Sequence, residues 1–478
     1  MSKTSDIKRP LIVDMDGTLL RNDSTFDLLA LSFFHFPLKT ILIIFQFFAN
    51  KPALKEKLFL LSGHKLPVED LPYNEIVVEF AKDQSRQGRT VILCSGGYES
   101  LVQCVSKFQG YFTEAFGTAD GLNLTSKHKA AFLKNRYPNG FDYIGNSNDD
   151  IAVWAASEER YAISPPNKAR KTVIELTILD DTRHPIRAGL KAMRLHQWAK
   201  NLLLFLVPAL IIDRITADSL IMLGLAFVAL GLLASGTYIL NDMADIANDR
   251  AHPTKHKRPF ASGKLNVGTG LIMSSALIII AGMIALYVNA MFFTVLLGYF
   301  ILTLCYSFYL KRVAILDVIT LANLFLIRVA AGAAVVNEPL SAWLVCFVLS
   351  FFLSLSLVKR YAEVEKKVAA GGTAIVGRGY RINDGPLLLS FGVMSVAMTL
   401  LCFMLYSLVA ENPAIVSWFP LLAVGIILTY WIMRIWLLAY HGDMNEDPVL
   451  FAIKDPISLA CGLIIVIVVF TEKLVISL

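Results

Sequence analysis

From residue 199 to residue 475 the chain carries a succession of apolar runs, at about 199–213, 219–240, 267–289, 291–310, 314–336, 340–358, 387–411, 415–440 and 456–475. Roughly 20 apolar residues in a helix cross a bilayer core, and only helices or closed barrels satisfy their backbone polar groups there. The runs therefore predict an all-α polytopic membrane domain of about nine transmembrane helices over residues 191–478. Loop charge orients it. Arg250, Lys255, Lys257, Arg258 and Lys264 share one loop, Lys311 and Arg312 the next on that side, and Lys359, Arg360, Lys366, Lys367, Arg378 and Arg381 a third. The alternate loops near 214–218, 290, 337–339 and 412–414 hold only Arg214. This asymmetry places the basic loops in the cytoplasm, in an inner (cytoplasmic) membrane.

Residues 1–190 read differently. Leu11-Ile12-Val13 runs into Asp14-Met15-Asp16-Gly17-Thr18, Thr90–Cys94 into Ser95-Gly96-Gly97, and Phe141–Ile144 into Gly145-Asn146-Ser147-Asn148-Asp149-Asp150. Short apolar strands separated by helical stretches predict a doubly wound α/β domain, with ligands at the carboxyl ends of its strands. Residues 21–88 have room for a helical cap. Within it, the apolar segment 28–61 is broken by Pro37 and Lys39 and is too short to span. It reads either as a packed cap or as an interfacial segment presenting the domain to lipid. The polar, basic residues 166–190, with Pro165-Pro166 before them, read as a linker.

The acidic stretch Asn241-Asp242-Met243-Ala244-Asp245-Ile246-Ala247-Asn248-Asp249 begins where the second apolar run ends. On a helix its three carboxylates, at i, i+3 and i+7, share one face. Carboxylates at a membrane boundary are costly and usually functional, and the cations Lys255, Lys257 and Arg258 follow directly. The combination points to a metal-bridged phosphate site. The net charge of +6 comes with no basic stripe interleaved with aromatics, so nucleic acid is not an expected partner. Six cysteines without a CxxC pair predict reduced thiols with no metal role.

Two resemblances sharpen this. Asp-x-Asp-Gly-Thr-Leu with the downstream Ser-Gly-Gly resembles the haloacid dehalogenase phosphatases over about residues 8–165. The resemblance implies a nucleophile at Asp14, a general acid/base at Asp16, phosphoryl binding by Ser95, charge neutralisation by Lys129 (with Lys127 and Lys134 as rivals), and a magnesium site using Asp14, Asp16 and Asp150. Asn146 departs from the family's usual Gly-Asp, and an amide is a poorer magnesium ligand than a carboxylate. Asn-Asp-x-x-Asp-x-x-x-Asp after two membrane helices resembles the UbiA superfamily, in which such aspartates hold magnesium against a diphosphate. Many members carry a second Asp-x-x-x-Asp; here the stretch is Asp317-Val318-Ile319-Thr320-Leu321, without the second carboxylate.

Arg194–Asn201, Tyr306–Arg312, Lys359–Glu363 and Asp447–Ala452 are similar to the branch that transfers 5-phosphoribose from phosphoribosyl diphosphate to a polyprenyl (decaprenyl) phosphate. That resemblance implies catalysis by magnesium on Asp242, Asp245 and Asp249. Asn241, Lys255, Lys257 and Arg258 would bind the donor. Arg194, His196 and Lys200 would orient the lipid phosphate. Tyr306, Lys311, Arg312, Asp317, Lys359 and Arg360 are further substrate-binding candidates. Magnesium is the expected cofactor of both domains. The partners are the membrane, polyprenyl phosphate and phosphoribosyl diphosphate, with room for a homo-oligomer. The expected function is transfer of 5-phosphoribose followed by removal of its 5-phosphate, both on the cytoplasmic face. The alternative is prenyl transfer from a polyprenyl diphosphate to an aromatic acceptor, with the soluble domain a non-catalytic scaffold.

Overall fold

The computed structural model describes residues 9–119, 123–181, 185–369, 371, 378–409, 418–444 and 447–477; the loop read at 412–414 lies outside these. The chain divides into two compact units, and the division does not follow the sequence: Tyr238–Ser274 belongs with Met1–Met193, and Arg194–Thr237 with Ser275–Leu478.

The first unit is built on six strands: β1 (Leu11–Val13), β2 (Val91–Tyr98), β3 (Glu114–Thr118), β4 (Asp142–Gly145), β5 (Arg160–Ile163) and β6 (Leu176–Asp180). They pair in parallel in the order β3-β2-β1-β4-β5-β6, with Ile12 facing Ile92 on one side and Tyr143 on the other. All three residues of β1 are fully buried, as a central strand covered on both faces requires. Parallel strands need crossovers, and the one from β1 to β2 holds α1 (Ser24–His35), α2 (Pro37–Phe47), α3 (Lys51–Ser62) and α4 (Glu75–Arg86). Asp23 caps α1 through the Thr25 N–H, and Asn50 caps α3 through the Ala53 N–H. The later crossovers carry α5 (Glu99–Gln109), α6 (Ser126–Arg136), α7 (Ile151–Trp154) and α8 (Asn167–Thr172), and α9 (Pro185–Ala192) follows.

Strand order reverses at β1, so the crevice for ligand opens at the carboxyl end of β1, where Asp14 and Asp16 stand. The segment read as a linker instead supplies α8 and the edge strand β6. An edge strand needs only one hydrogen-bonded neighbour and tolerates exposed faces, so its apolar signal is weak. In the cap, Leu38, Leu42, Phe45 and Phe48 of α2 and its C-cap are 77%, 64%, 85% and 77% exposed on one helical face, in keeping with the interfacial reading of this segment.

The second unit is helical. A 3₁₀ run over Leu195–Phe205 leads into α10 (Leu206–Leu210) and α11 (Ala217–Ala244). The chain passes through α12 (Ile246–Arg250) and the start of α13 (Val267–Val288) in the first unit. It continues with α14 (Ala290–Phe308), α15 (Leu316–Val336), α16 (Ala342–Ala369), α17 (Gly385–Val409), α18 (Trp418–Tyr440), α19 (Pro448–Lys454) and α20 (Pro456–Ser477). Among the described residues seven helices are long and apolar enough to cross a membrane, or eight if α19 and α20, bent by 81°, form one span. The expected nine reduces to this because the first apolar run is the 3₁₀ segment plus α10, not a long helix. That segment packs directly on its neighbours. Trp198 lies against Gly231 and donates to Ser235 Oγ at 2.9 Å, and the Leu204 carbonyl meets α15 at Gly332, where a Cβ would overlap it. A stacked Phe325–Phe352 pair, with ring centroids 4.2 Å apart, joins α15 to α16 in the larger apolar core.

Candidate active sites

In the first unit the side chains singled out at three strand ends line one cavity of about 800 Å³. Lys129, on α6, is 4% exposed. It donates to Asp14 Oδ1 at 2.6 Å and to the Tyr143 hydroxyl at 3.0 Å, while its rivals Lys127 and Lys134 are exposed. Asp16 accepts from the Ser24 N–H at 2.8 Å, which anchors the first turn of the cap helix. Ser95 is buried in the wall, its Oγ accepting from the Gly97 N–H at 3.0 Å. Burial pushes the Asp14 carboxyl up to about 6 against the pull of Lys129. Burial, with repulsion from Asp23, pushes Asp16 up to about 7.

Asp150 also lines this cavity. Its Oδ1 accepts from Tyr143 at 2.5 Å, and its Oδ2 accepts from the Asn146 and Ser147 N–H groups and the Ser147 hydroxyl. Both oxygens are engaged in holding the β4 loop. The Asn146 side chain accepts from Thr18 at 3.2 Å and stands beside the Asp14–Thr18 turn. Lys55, from α3 of the cap, reaches in to donate to the Gly96 carbonyl at 2.5 Å.

The acidic motif is not one continuous helix. α11 ends at Ala244, and Asp245 leaves helical geometry at φ −96°, ψ 10° before α12 begins. The break separates the three carboxylates expected on one face. Asp242 and Asp249, 2% and 3% exposed, converge on one guanidinium nitrogen, Arg258 Nη1, at 3.3 and 2.6 Å. Asp245 instead accepts from Asn241 at 3.2 Å. Burial raises the Asp249 carboxyl above its ordinary value in spite of Arg258. Lys255 and Lys257 lie on an exposed 3₁₀ turn. Arg250, the residue after Asp249, is buried and ion-paired at 2.8 Å with Asp27 of α1. Asn22 donates to the same oxygen of Asp27, and Arg250 Nε to the Ala261 carbonyl at 3.2 Å. Among the described residues no group of three or more His, Cys, Asp or Glu is arranged to hold a metal.

In the second unit Asp317 is fully buried and accepts from Tyr306 at 2.9 Å, from Arg378 at 3.0 Å and from Arg360 through two nitrogens. Arg360 also donates to Glu363 at 2.5 Å. Lys200 and Lys359 both donate to Asp447 Oδ2 at 2.9 Å. Burial would raise the Asp447 carboxyl, but these two ammoniums outweigh it and hold it well below the usual range. Arg194 precedes the 3₁₀ run in a left-handed conformation, φ 51°, and His196 lies within that run. Lys311 and Arg312 sit on a short 3₁₀ turn after α14.

Residues 202–454 match the model of the UbiA prenyltransferase family. The chain belongs to that family. It is 34% identical to protein y4nM of Sinorhizobium fredii over 474 residues, 96% of this chain and 90% of that one, so the similarity runs through both domains. The chain is 35% identical to decaprenyl-phosphate phosphoribosyltransferase of Mycolicibacterium smegmatis over 180 residues, 37% of this chain and 57% of that protein. A solved phosphoserine phosphatase, a phospho-aspartyl intermediate analogue, aligns with 38% of this chain and 98% of its own at 19% identity and a TM-score of 0.28. The protein is thus a multi-pass membrane protein with a UbiA-type transferase domain, preceded by an α/β domain built on a parallel sheet.

Several groups escape a reading of the sequence. Asp27, Arg250, Asp447 and Arg378 gain their meaning from partners far away in the chain. Arg328, 5% exposed in α15, bonds Asn201 at 3.1 Å and Tyr299 at 2.9 Å. A cation inside an apolar run was a signal for it in its own right.

Proposed function

We propose that the protein transfers 5-phosphoribose from phosphoribosyl diphosphate to a polyprenyl phosphate and then removes the 5-phosphate of the product. The observation that carries this reading is the makeup of the first unit. The phosphatase cavity and the acidic motif belong to one compact body, and Gly263, Lys264, Leu265 and Asn266, downstream of that motif, form part of the phosphatase cavity wall. The missing second acidic motif, at Leu321, and the likeness to the phosphoribosyltransferase favour a ribosyl donor over a prenyl one.

The donor sets fit magnesium. It is commonly held by one or two carboxylates plus substrate phosphates and water. Asp242 and Asp249 already converge on a point of positive charge, the Arg258 guanidinium. Asp14 is buried and Asp16 half-buried at the end of β1, and burial raises the affinity of both for protons, which a bound cation would oppose. The metal would bind at Asp242 and Asp249 in the transferase and at Asp14 and Asp16 in the phosphatase, offsetting charge on diphosphate and phosphoryl oxygens.

In transfer, the lipid phosphate oxygen attacks the anomeric carbon as its bond to diphosphate breaks. No base is needed, because the attacking group is already an anion. Arg258 offsets charge gathering on the leaving diphosphate. Lys200 and Lys359, which share one carboxylate, provide a cationic seat for the lipid phosphate. Asp317 fixes the buried Arg360 guanidinium and the more accessible Arg378, of which Arg378 would bind phosphate oxygens.

In hydrolysis, Lys129 holds Asp14 Oδ1 and leaves Oδ2 to attack phosphorus. The ribose O5–phosphorus bond breaks, and Asp16 delivers its proton to O5. Water then attacks the aspartyl phosphate, Asp16 takes the water's proton, and inorganic phosphate leaves. One carboxyl that gives a proton in the first step and takes one in the second serves both transfers. The basic loops support a cytoplasmic location for these steps.

The test is mass spectrometry of lipids made by the purified full chain given phosphoribosyl diphosphate and polyprenyl phosphate. A polyprenylphosphoryl pentose is expected from the wild type, and its 5-phosphorylated form from Asp14→Asn. Retention of the 5-phosphate by the wild type would remove the phosphatase step. Turnover of polyprenyl diphosphate onto an aromatic acceptor, with none of phosphoribosyl diphosphate, would overturn the transfer.

A further inference from the structure

A second cavity, of about 540 Å³, adjoins the phosphatase cavity within the first unit. Five cations line it, Arg21, Arg187, Lys191, Lys257 and Lys264, against one carboxylate, Asp180. They come from four stretches of chain: the turn after β1, helix α9, the 3₁₀ turn at Lys255–Lys257, and the loop at 263–264. Arg187, Lys191, Lys257 and Lys264 have no ion-pair partner among the described residues. Arg187 and Lys191 stand at i and i+4 on α9, where like charges repel. All four of these unpaired cations are exposed, and their convergence on one cavity raises the local positive potential and favours an anion there.

The two cavities share Arg21, Gly263 and Lys264. The loop reaches this boundary through a close approach: Gly263 has φ +69°, and a Cβ there would lie 2.8 Å from Arg21 Cβ. A side chain at this position would be strained and would crowd Arg21. Glycine therefore lets the loop deliver Lys264 to both cavities.

We propose that the cationic cavity is an anion subsite of the phosphatase, holding the phosphodiester of a lipid-linked phosphosugar while its phosphomonoester lies at Asp14. The inference rests on the proposed phosphatase reaction, whose substrate carries these two phosphates at opposite ends of one pentose. The subsite makes the phosphatase selective for the transfer product over ordinary phosphomonoesters. It takes phosphate oxygens through charge-assisted hydrogen bonds from Arg and Lys.

The test compares wild-type full chain in detergent with Arg187→Ala/Lys191→Ala, and with Arg187→Lys/Lys191→Arg as the charge-keeping control. The two substrates are p-nitrophenyl phosphate and a soluble pentose bearing a C5 phosphomonoester and a C1 alkyl phosphodiester. For the two-phosphate probe, KM should rise about tenfold or more on loss of the charges, as expected for a lost charge-assisted contact. KM and kcat for p-nitrophenyl phosphate should stay within about twofold, and the control should resemble wild type. An equal loss on both substrates would make the cations structural, and no loss on either would overturn the subsite.

Inhibition by inorganic phosphate separates the two sources of the anion. Weaker inhibition in the alanine variant with unchanged KM for the two-phosphate probe would make the cavity a product-exit site and overturn the diester assignment. If wild type cleaves p-nitrophenyl phosphate but not the two-phosphate probe, the proposed reaction fails. The subsite is then judged by inhibition with the same alkyl phosphodiester lacking the 5-phosphate: weaker inhibition in the alanine variant supports it, and equal inhibition overturns it.

Discussion

Replacing Arg250 by Met removes one half of a buried ion pair and leaves the other half behind. The Arg250 and Asp27 side chains are 4% and 2% exposed, and their 2.8 Å contact spans 223 positions of sequence. The substitution leaves Asp27 with Asn22 alone and frees the Ala261 carbonyl of a donor. Removing one partner of such a pair costs about 3–5 kcal/mol. That corresponds to an increase of roughly two to four orders of magnitude in the population of the open form. Burial already raises the Asp27 carboxyl above its ordinary value with Arg250 present, and losing the cation raises it further. A carboxyl whose folded-state affinity for protons exceeds its unfolded one destabilises the fold when ionised. The deficit should therefore be smallest on the acid side of the ordinary carboxylate range and grow as pH rises above it.

Hydrogen exchange of the full chain in detergent, followed on peptides covering α1 and α12, reads the opening directly. Arg250→Met should accelerate exchange in both helices, although they lie far apart in sequence. Asp27→Asn/Arg250→Met should recover about 2 kcal/mol relative to the sum of the single variants, because it buries no unpaired charge. Exchange within about threefold of wild type in Arg250→Met, or strict additivity in the double variant, would refute the reasoning.

Gly332→Ala places a methyl group on the Leu204 carbonyl oxygen, so it should lower the thermal midpoint in detergent by about 1–3 kcal/mol equivalent, whereas Gly298→Ala, with open space around it, should not. Asp317→Ala strands the buried Arg360 guanidinium and should cost about 3–5 kcal/mol, again read from thermal unfolding; a change under about 1 kcal/mol would show that Glu363 alone suffices. Chelation of divalent cations should abolish pentosyl transfer, and magnesium should restore it; full transfer in excess chelator would exclude a role for the metal at Asp242 and Asp249.

Length and pattern carried much of the architecture. Eight of the nine apolar runs correspond to helices or a bent helix pair, because hydrocarbon leaves a backbone few alternatives. The run at 199–213 departs where Trp198, just before it, packs on Gly231 and Leu204, within it, packs on Gly332, a condition set by other helices. The strands beginning at 11, 91 and 142 were legible from the short runs at 11–13, 90–94 and 141–144, although the second continues through Ser95-Gly96-Gly97 to Tyr98. The edge strand β6 was not, since half of its surface faces water.

The same boundary runs through the sites. Asp14 and Asp16 follow the end of β1 and Ser95 follows the apolar part of β2, where chemistry and local pattern coincide, and the sequence alone marked them. The choice of Lys129 among three lysines fell to tertiary structure, because only one of them lies on the buried side of α6. The acidic motif marked a candidate phosphate site by its composition. The break at Asp245, the convergence of Asp242 and Asp249 on Arg258, and the burial of Arg250 against Asp27 were decided by folding. Backbone-period patterns and membrane partition are properties of neighbouring residues, and a sequence states them openly. Which charges meet depends on segments hundreds of residues apart closing on one another, and only the folded chain brings them together.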